Sequence, residues 1–312
     1  MMTQVLNRLI ISIPVLFGVL LLGFCLLILV PGDPAIVLAG PTATPEVVEA
    51  IRQEMGLDEP VLVQFLSYLG RVLQGDLGRS LISNKTVVSE LGAAVVPTLE
   101  LMVACLIWSI PLGIALGTLA AVFRGRIIDR AIMAVSVAGV SLPIFFICLM
   151  MIHFVGVQWR LLPFIGRGGP LWTVEGLRHI ALPALSLGAI FIGPVARMTR
   201  SSVLEVLKLD HVRTARAKGL SETQVILRHG LRNALIPVVT LVGLQAGYLV
   251  GGAVVTESIF SYPGLGRLAV GAILSSDFPL AQGAILILAL GFILINMVVD
   301  ILYALLDPRV QA

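Results

Sequence analysis

Residues 210–237 read DHVRTARAKGLSETQVILRHGLRNALIP, the most polar run in an otherwise oily second half of the chain. The run divides at Gly219 into two short helical pieces. Asp210 is placed to cap the first piece, because its carboxylate accepts from the unpaired N–H groups of an opening turn. Gly219 ends that piece, since a residue without Cβ takes the left-handed conformation at little cost. Ser221 with Gln224 three residues on forms a capping box that starts the second piece. Between positions 197 and 232 there are eight Lys or Arg (197, 200, 208, 213, 216, 218, 228 and 232) against three acids (205, 210 and 222), a net charge of +5. The reading is a basic helix–Gly–helix loop held between two apolar segments, and the question becomes what it docks against.

Outward from the loop the chain turns apolar. It is 58% hydrophobic and only 12% charged, with a mean hydropathy of +1.02, whereas soluble domains are about 25% charged. Charge-free apolar runs of spanning length recur at 9–30, 101–123, 131–158, 234–256 and 278–299. A shorter run, 180–196, stops at Arg197, but its helix can continue into the interface with the arginines snorkelling. A bilayer core of about 30 Å takes about 20 such residues as helix. These runs predict an all-α integral membrane protein with six transmembrane helices. The first run is longer than the apolar core of a signal peptide and is followed by Pro31-Gly32-Asp33-Pro34 rather than a small-residue cleavage site, so it is expected to be a retained span.

Six spans put the N-terminus, the 124–130 loop, the 197–233 loop and the C-terminus on one side. That side carries 13 Lys or Arg and the other eight, and the excess sits in short loops, where the charge rule for orientation applies. Both termini are therefore expected in the cytosol. Arg160, Arg167 and Arg178 run against the rule. The pI of about 9.0 reflects this loop chemistry rather than nucleic acid, because the basic residues are not interleaved with stacking aromatics. The 31–96 loop is the one sizeable extramembrane region. It carries two amphipathic helical patterns, one from Thr44-Pro45 with Val47, Val48, Ile51 and Met55, the other from Pro60 with Phe65, Leu66, Leu69, Val72 and Leu73. Both are expected to pack over the outer face of the bundle. Prolines 14, 111, 143, 183 and 194 and the many glycines predict kinked, closely packed spans.

Catalytic signatures are missing from the sequence. It has three lysines (85, 208 and 218), none of which ends a phosphate-binding loop, so ATP is not bound by that route. The four histidines are scattered, and Cys25, Cys105 and Cys148 all lie within spans, where they read as packing residues rather than a metal or disulfide framework. Ionisable residues within spans are few: Glu100 at the outer start of the second and Asp300 at the inner end of the sixth. An ion-coupled pump needs such groups at depth. Their scarcity transfers the energy source to a partner, and the basic loop is its natural attachment point.

At this point the residues resemble a known family, the permease subunit of a binding-protein-dependent ABC importer in the dipeptide/oligopeptide/nickel branch. The 208–233 segment is similar to that family's EAA-type loop: Glu-Ala-Ala, three residues, Gly, nine residues, then Ile-x-Leu-Pro. Registered on Gly219, the first motif falls on Arg213, Thr214 and Ala215 and the last on His229, Gly230, Leu231 and Arg232, so that Ala215, Gly219 and Leu231 match. The wording RTARAKGLSE…LRNALIPVVT is that of the peptide branch. PGDP (31–34), GLDEP (56–60), GDLGRS (75–80), PTLEL (97–101), RMTRSSVLEVL (197–207), ESIFSYPGLGRL (257–268) and LLDPR (305–309) follow in the family's order along nearly the whole chain.

The resemblance implies a type I ABC importer permease fold: residues 1–30 as the N-terminal segment and first span, 31–96 as the periplasmic loop, 97–312 as the permease core. It implies that the loop is a coupling helix seated in a groove of a separate ATPase, with Ala215, Gly219 and Leu231 shaping it and Arg213, Arg216 and Lys218 as polar contacts. The partners it implies are a homologous second permease, one or two ATPase subunits that bind the ATP and Mg, a periplasmic solute-binding protein and membrane lipid. No cofactor is expected in this chain. The cargo it implies is a di- or oligopeptide or peptide-like solute, with nickel, glutathione and oligosaccharide as alternatives within the class and a stand-alone secondary transporter as the alternative outside it. Gln245, Tyr248, Thr256 and Glu257 in or beside the fifth span, and Asn296 in the sixth, are polar groups for a translocation path; interhelical hydrogen bonding is the competing role for them.

Overall fold

The structure is a computed structural model that describes residues 2–29, 33–40, 43–54 and 56–306. The expected elements at Pro31-Gly32, Met55 and 307–309 lie outside these residues, as does the side chain of Asp300. In chain order the helices are α1 (Met2–Leu29), α2 (Pro34–Ala39), α3 (Pro45–Glu54), α4 (Val61–Leu73), α5 (Val87–Val122), α6 (Ile127–Ser141), α7 (Ile144–Met151), α8 (Val174–Val206), α9 (Asp210–Ala217), α10 (Glu222–Gln224), α11 (Arg232–Ile259), α12 (Leu265–Leu274) and α13 (Phe278–Leu306). A π-helical turn, Ile152–Gln158, extends α7, and another, Val225–Leu231, joins α10 to α11. Among the described residues the only extended pairing is an isolated bridge between Arg79 and Thr86.

Among the described residues four helices are long and apolar enough to cross a membrane: Val87–Val122, Val174–Val206, Glu222–Ile259 and Phe278–Val299. The expected third span is not one straight helix. Its two halves, Ile127–Ser141 and Ile144–Gln158, are bent by 104°, and count as a fifth span if taken together. The break falls at Leu142-Pro143 because proline drives its predecessor into the extended region, where Leu142 lies at φ −82°, ψ 129°. The first expected span falls on α1, whose described apolar body is Ile10–Cys25.

The chain forms two compact units, and each is described by itself. One comprises residues 100–260 with 294–306. Its centre is α8, whose Ile180, Leu182, Leu187, Val195, Ala196 and Val203 are buried. Glycines let neighbours close on this helix. A Cβ on Gly117 of α5 would lie 2.4 Å from the Ala196 carbonyl oxygen, and one on Gly193 of α8 would lie 2.4 Å from that of Ser136 on α6. Gly188 leaves room for the Trp108 ring, whose indole N–H donates to the Ala184 carbonyl at 2.9 Å. Glu100, near-buried, takes both nitrogens of a fork from Arg167 (3.0 and 2.8 Å) and the Leu171 N–H (3.2 Å).

The other unit comprises the described residues of 2–99 with 261–293. The α4 pattern holds in part: Phe65 and Tyr68 are buried against Leu20 and Phe24 of α1, with Leu69 and Val72 alongside, whereas Leu66 and Leu73 are exposed. The helix stops as its sequence predicts, with Gln74 closing the last turn and Gly75 at φ 79°. A second cluster packs Val87, Leu91 and Ala94 of α5 against Leu265, Ala269 and Ala272 of α12 and Leu280, Ala281 and Ala284 of α13. Two polar anchors hold it. Thr98 Oγ1 accepts the Leu265 N–H at 2.8 Å, satisfying the open end of α12. Buried Asp277 accepts from the Ser80 hydroxyl, from Leu81 N–H at 3.2 Å and from Leu280 N–H at 3.4 Å, fixing the GDLGRS stretch to the start of α13.

Candidate functional site

The polar loop is an elbow folded on a dry seam. After Val206 the chain makes one tight turn through Leu207, Lys208 and Leu209 and begins α9. Leu209, not Asp210, is the N-cap, and it makes no side-chain cap bond. Asp210 is already in the first helical turn, where its carboxylate favours the positive helix end and meets Arg213 at 3.6 Å. Val212 and Ala215, three apart and so on one face, are buried with Val225 against Val206 and Leu207. Gly219 reverses the chain at φ 81°. The Ser221–Gln224 capping box is formed in both directions, at 3.4 and 3.3 Å.

The second piece is not a separate short helix. Its π turn runs without a break into α11, so 222–259 is one 38-residue helix. Gly230 sits where a Cβ would press on Leu207 at 3.1 Å. Leu231 packs beside Ala121, Val203 and Ala234, and the Asn233 amide bridges to His211 at 3.2 Å. The expected site residues therefore sort by role. Ala215 and Leu231 face the seam; Arg213, Thr214, Arg216, Lys218 and Gly219 are exposed. Thr214 returns its hydroxyl to the Asp210 carbonyl at 2.9 Å, while Arg216 closes the elbow on Glu222 at 2.9 Å.

Sequence reasoning passed over the partner of this elbow's supporting helix. Arg200 of α8 makes a fork to Asp129 at the start of α6, at 2.6 and 2.7 Å, and Asp129 also accepts the Gly125 N–H at 2.9 Å. The Asp129 side chain is 5% exposed and that of Arg200 28%. A lone acid among Arg124, Arg126 and Arg130 was the available signal; its partner, 71 residues away, carried none.

The polar residues considered for a translocation path do not converge on one surface. Tyr248 is 78% exposed, on the side of α11 that also exposes Leu244 and Gly251. Thr256 and Glu257 are fully buried. The Thr256 hydroxyl donates to the Gly252 carbonyl at 2.9 Å and lies 3.9 Å from the Cys148 sulfur, and Glu257 is likewise engaged. Gln245 and Asn296 are half-buried.

Comparison with known proteins covers the whole chain. Residues 113–312 match the family described as binding-protein-dependent transport system inner membrane component, and residues 1–116 match the N-terminal part of such membrane components. Relatives include the glutathione transport system permease protein GsiC of Escherichia coli O6:H1 (strain CFT073), 45% identical over 100% of this chain and 99% of its own length. The protein of that name from Escherichia coli K12 is 44% identical, and that from Salmonella choleraesuis (strain SC-B67) 45%, with the same coverage.

Proposed function

The chain belongs to the family of inner-membrane components of binding-protein-dependent transport systems, and from that premise we propose that it carries a peptide or peptide-like solute inward by alternating access, driven through the 208–233 elbow by a separate ATPase. It is a multi-pass permease subunit of an ABC importer, a transport component without an ATPase site of its own. The elbow then lies in the cytosol with both termini, and ATP and Mg are bound by partner subunits. A homologous second permease and a periplasmic binding protein complete the assembly. The relatives' name supports a short peptide such as glutathione as cargo.

One observation carries the reading. Arg213 and Arg216 stand exposed on a short helix, with Lys218 exposed at its end, while Val212 and Ala215 of the same helix are buried against Val225. A cation-bearing helix fixed to the ends of two spans can pass a partner's movement to both. Coupling also demands contacts that differ between the partner's two states.

The test is reconstitution of the chain with its partner permease, ATPases and binding protein in proteoliposomes. Arg213→Ala and Arg216→Ala are expected to leave insertion intact and ATP hydrolysis running while uptake falls at least tenfold. Wild-type uptake by both variants would refute the coupling role. Uptake by this chain without any ATPase would refute the importer reading as a whole.

A further inference from the structure

Three arginines, at 160, 167 and 178, lie on the side of the membrane where the orientation rule expects few cations. The structure accounts for one of them. Arg167 is consumed by its fork to Glu100. Among the described residues Arg178 meets only the Glu175 carboxylate, at 3.5 Å between exposed side chains, and Arg160 has no carboxylate partner. Arg160 is also held at φ 51°, a left-handed conformation costly for a residue with Cβ.

Arg160 and Arg178 line the same cavity, of about 470 Å³, together with His179, Glu175 and Phe164. One wall is close-packed, since a Cβ on Gly156 would lie 2.6 Å from the Phe164 ring. The cavity stands at the ends of two apolar segments. The π turn of α7 finishes at Gln158, and the uncharged part of α8 begins at Ile180. That level is the membrane–water boundary, and Trp159 and Trp172, 61% and 81% exposed, mark it as tryptophans do. Leu161 and Ile165 belong to the lining and are themselves 60% and 64% exposed.

We propose that this cavity binds the phosphate headgroup of an anionic phospholipid, whose acyl chains lie on the adjoining apolar surface. Guanidinium groups pair with phosphate oxygens through two parallel N–H donors. An apolar rim at the boundary suits an amphiphile, where a freely soluble anion has no use for it. A zwitterionic headgroup would set its own cation against two guanidiniums opposed by one carboxylate.

The full chain, purified in detergent and stripped of lipid, is titrated with phosphatidylglycerol or phosphatidylcholine, and bound lipid is counted by native mass spectrometry. Phosphatidylglycerol is expected to be retained at least tenfold more tightly than phosphatidylcholine. The doubly substituted chain, Arg160→Gln with Arg178→Gln, loses that preference, and Lys85→Gln, a change in an exposed cation of the other unit, keeps it. Equal retention of the two lipids by the wild-type chain overturns the proposal without recourse to any variant. So does an unchanged preference in the double variant, or displacement of phosphatidylglycerol by inorganic phosphate or a free tripeptide at equal concentration, which would assign the cavity to a soluble anion.

Discussion

Two connections in one compact unit carry arginines at the ends of spans, and they treat them in opposite ways. In the 159–173 connection Arg167 reaches a near-buried carboxylate 67 residues away and is bound by both nitrogens. In the elbow, the acids that Arg213 and Arg216 pair with among the described residues are the elbow's own Asp210 and Glu222, and all four remain open to solvent. Arg200, beneath the elbow, follows the first pattern with Asp129. Desolvated forks between distant segments fix a fold, because removing one partner strands the other. Solvated pairs within a loop are worth about 0–1 kcal/mol and can be exchanged for an incoming partner at little cost. Partnership, more than charge, separates an architectural cation from one on display.

The largest effect is expected at Asp129. Asp129→Ala strands Arg200 and is expected to cost about 3 kcal/mol, the low end for a broken buried pair since Arg200 keeps some water. Thermal unfolding in detergent measures it, and exchanging the two residues (Asp129→Arg with Arg200→Asp) should recover part of the loss. Glu100→Gln loses the charge and one of the two acceptor oxygens, setting an amide N–H donor against the fork's own donors, for an expected loss of about 1–3 kcal/mol by the same measurement. Gly219→Val costs about 1–2 kcal/mol through its φ of 81° alone, since no atom lies within 4 Å of the added Cβ; Gly219→Asn, tolerant of that region, should cost clearly less. Smallest in stability are Arg216→Ala and Arg213→Ala, within about 0.5 kcal/mol of wild type. If either destabilises the chain as much as Asp129→Ala, the distinction between fixed and displayed cations fails.

What could be read in the sequence was whatever is decided within a few residues. The reversal at Gly219 follows from the chirality of its neighbours, and the Ser221 box from groups three positions apart; both are present. Asp210 shows the limit of local reasoning. It is the better capping residue, but the tight turn leaving α8 puts Leu209 at the cap position, because the path of the chain outranks side-chain preference. The second elbow piece read as a separate helix, yet a π turn absorbs the change of register without ending the helix. Pro143 announced a kink but not a bend of 104°. The forks from Asp129 and Glu100 join residues 71 and 67 apart, and one sequence holds no signal for such pairings. Burial of Thr256 and Glu257 was likewise illegible, since polarity alone does not say which face of a helix meets a neighbour.

The continuity of 222–259 has a mechanical corollary. At about 1.5 Å per residue, 38 residues make a lever of roughly 57 Å with no loop along it. Such a lever pushed at Glu222 has only the compliance of its π turn and of Pro237 to absorb the stroke before Thr256, whereas the parallel route through α9 and α8 must first bend at the turn of Leu207–Leu209. Stiffness is thus distributed unequally between the two arms of the elbow.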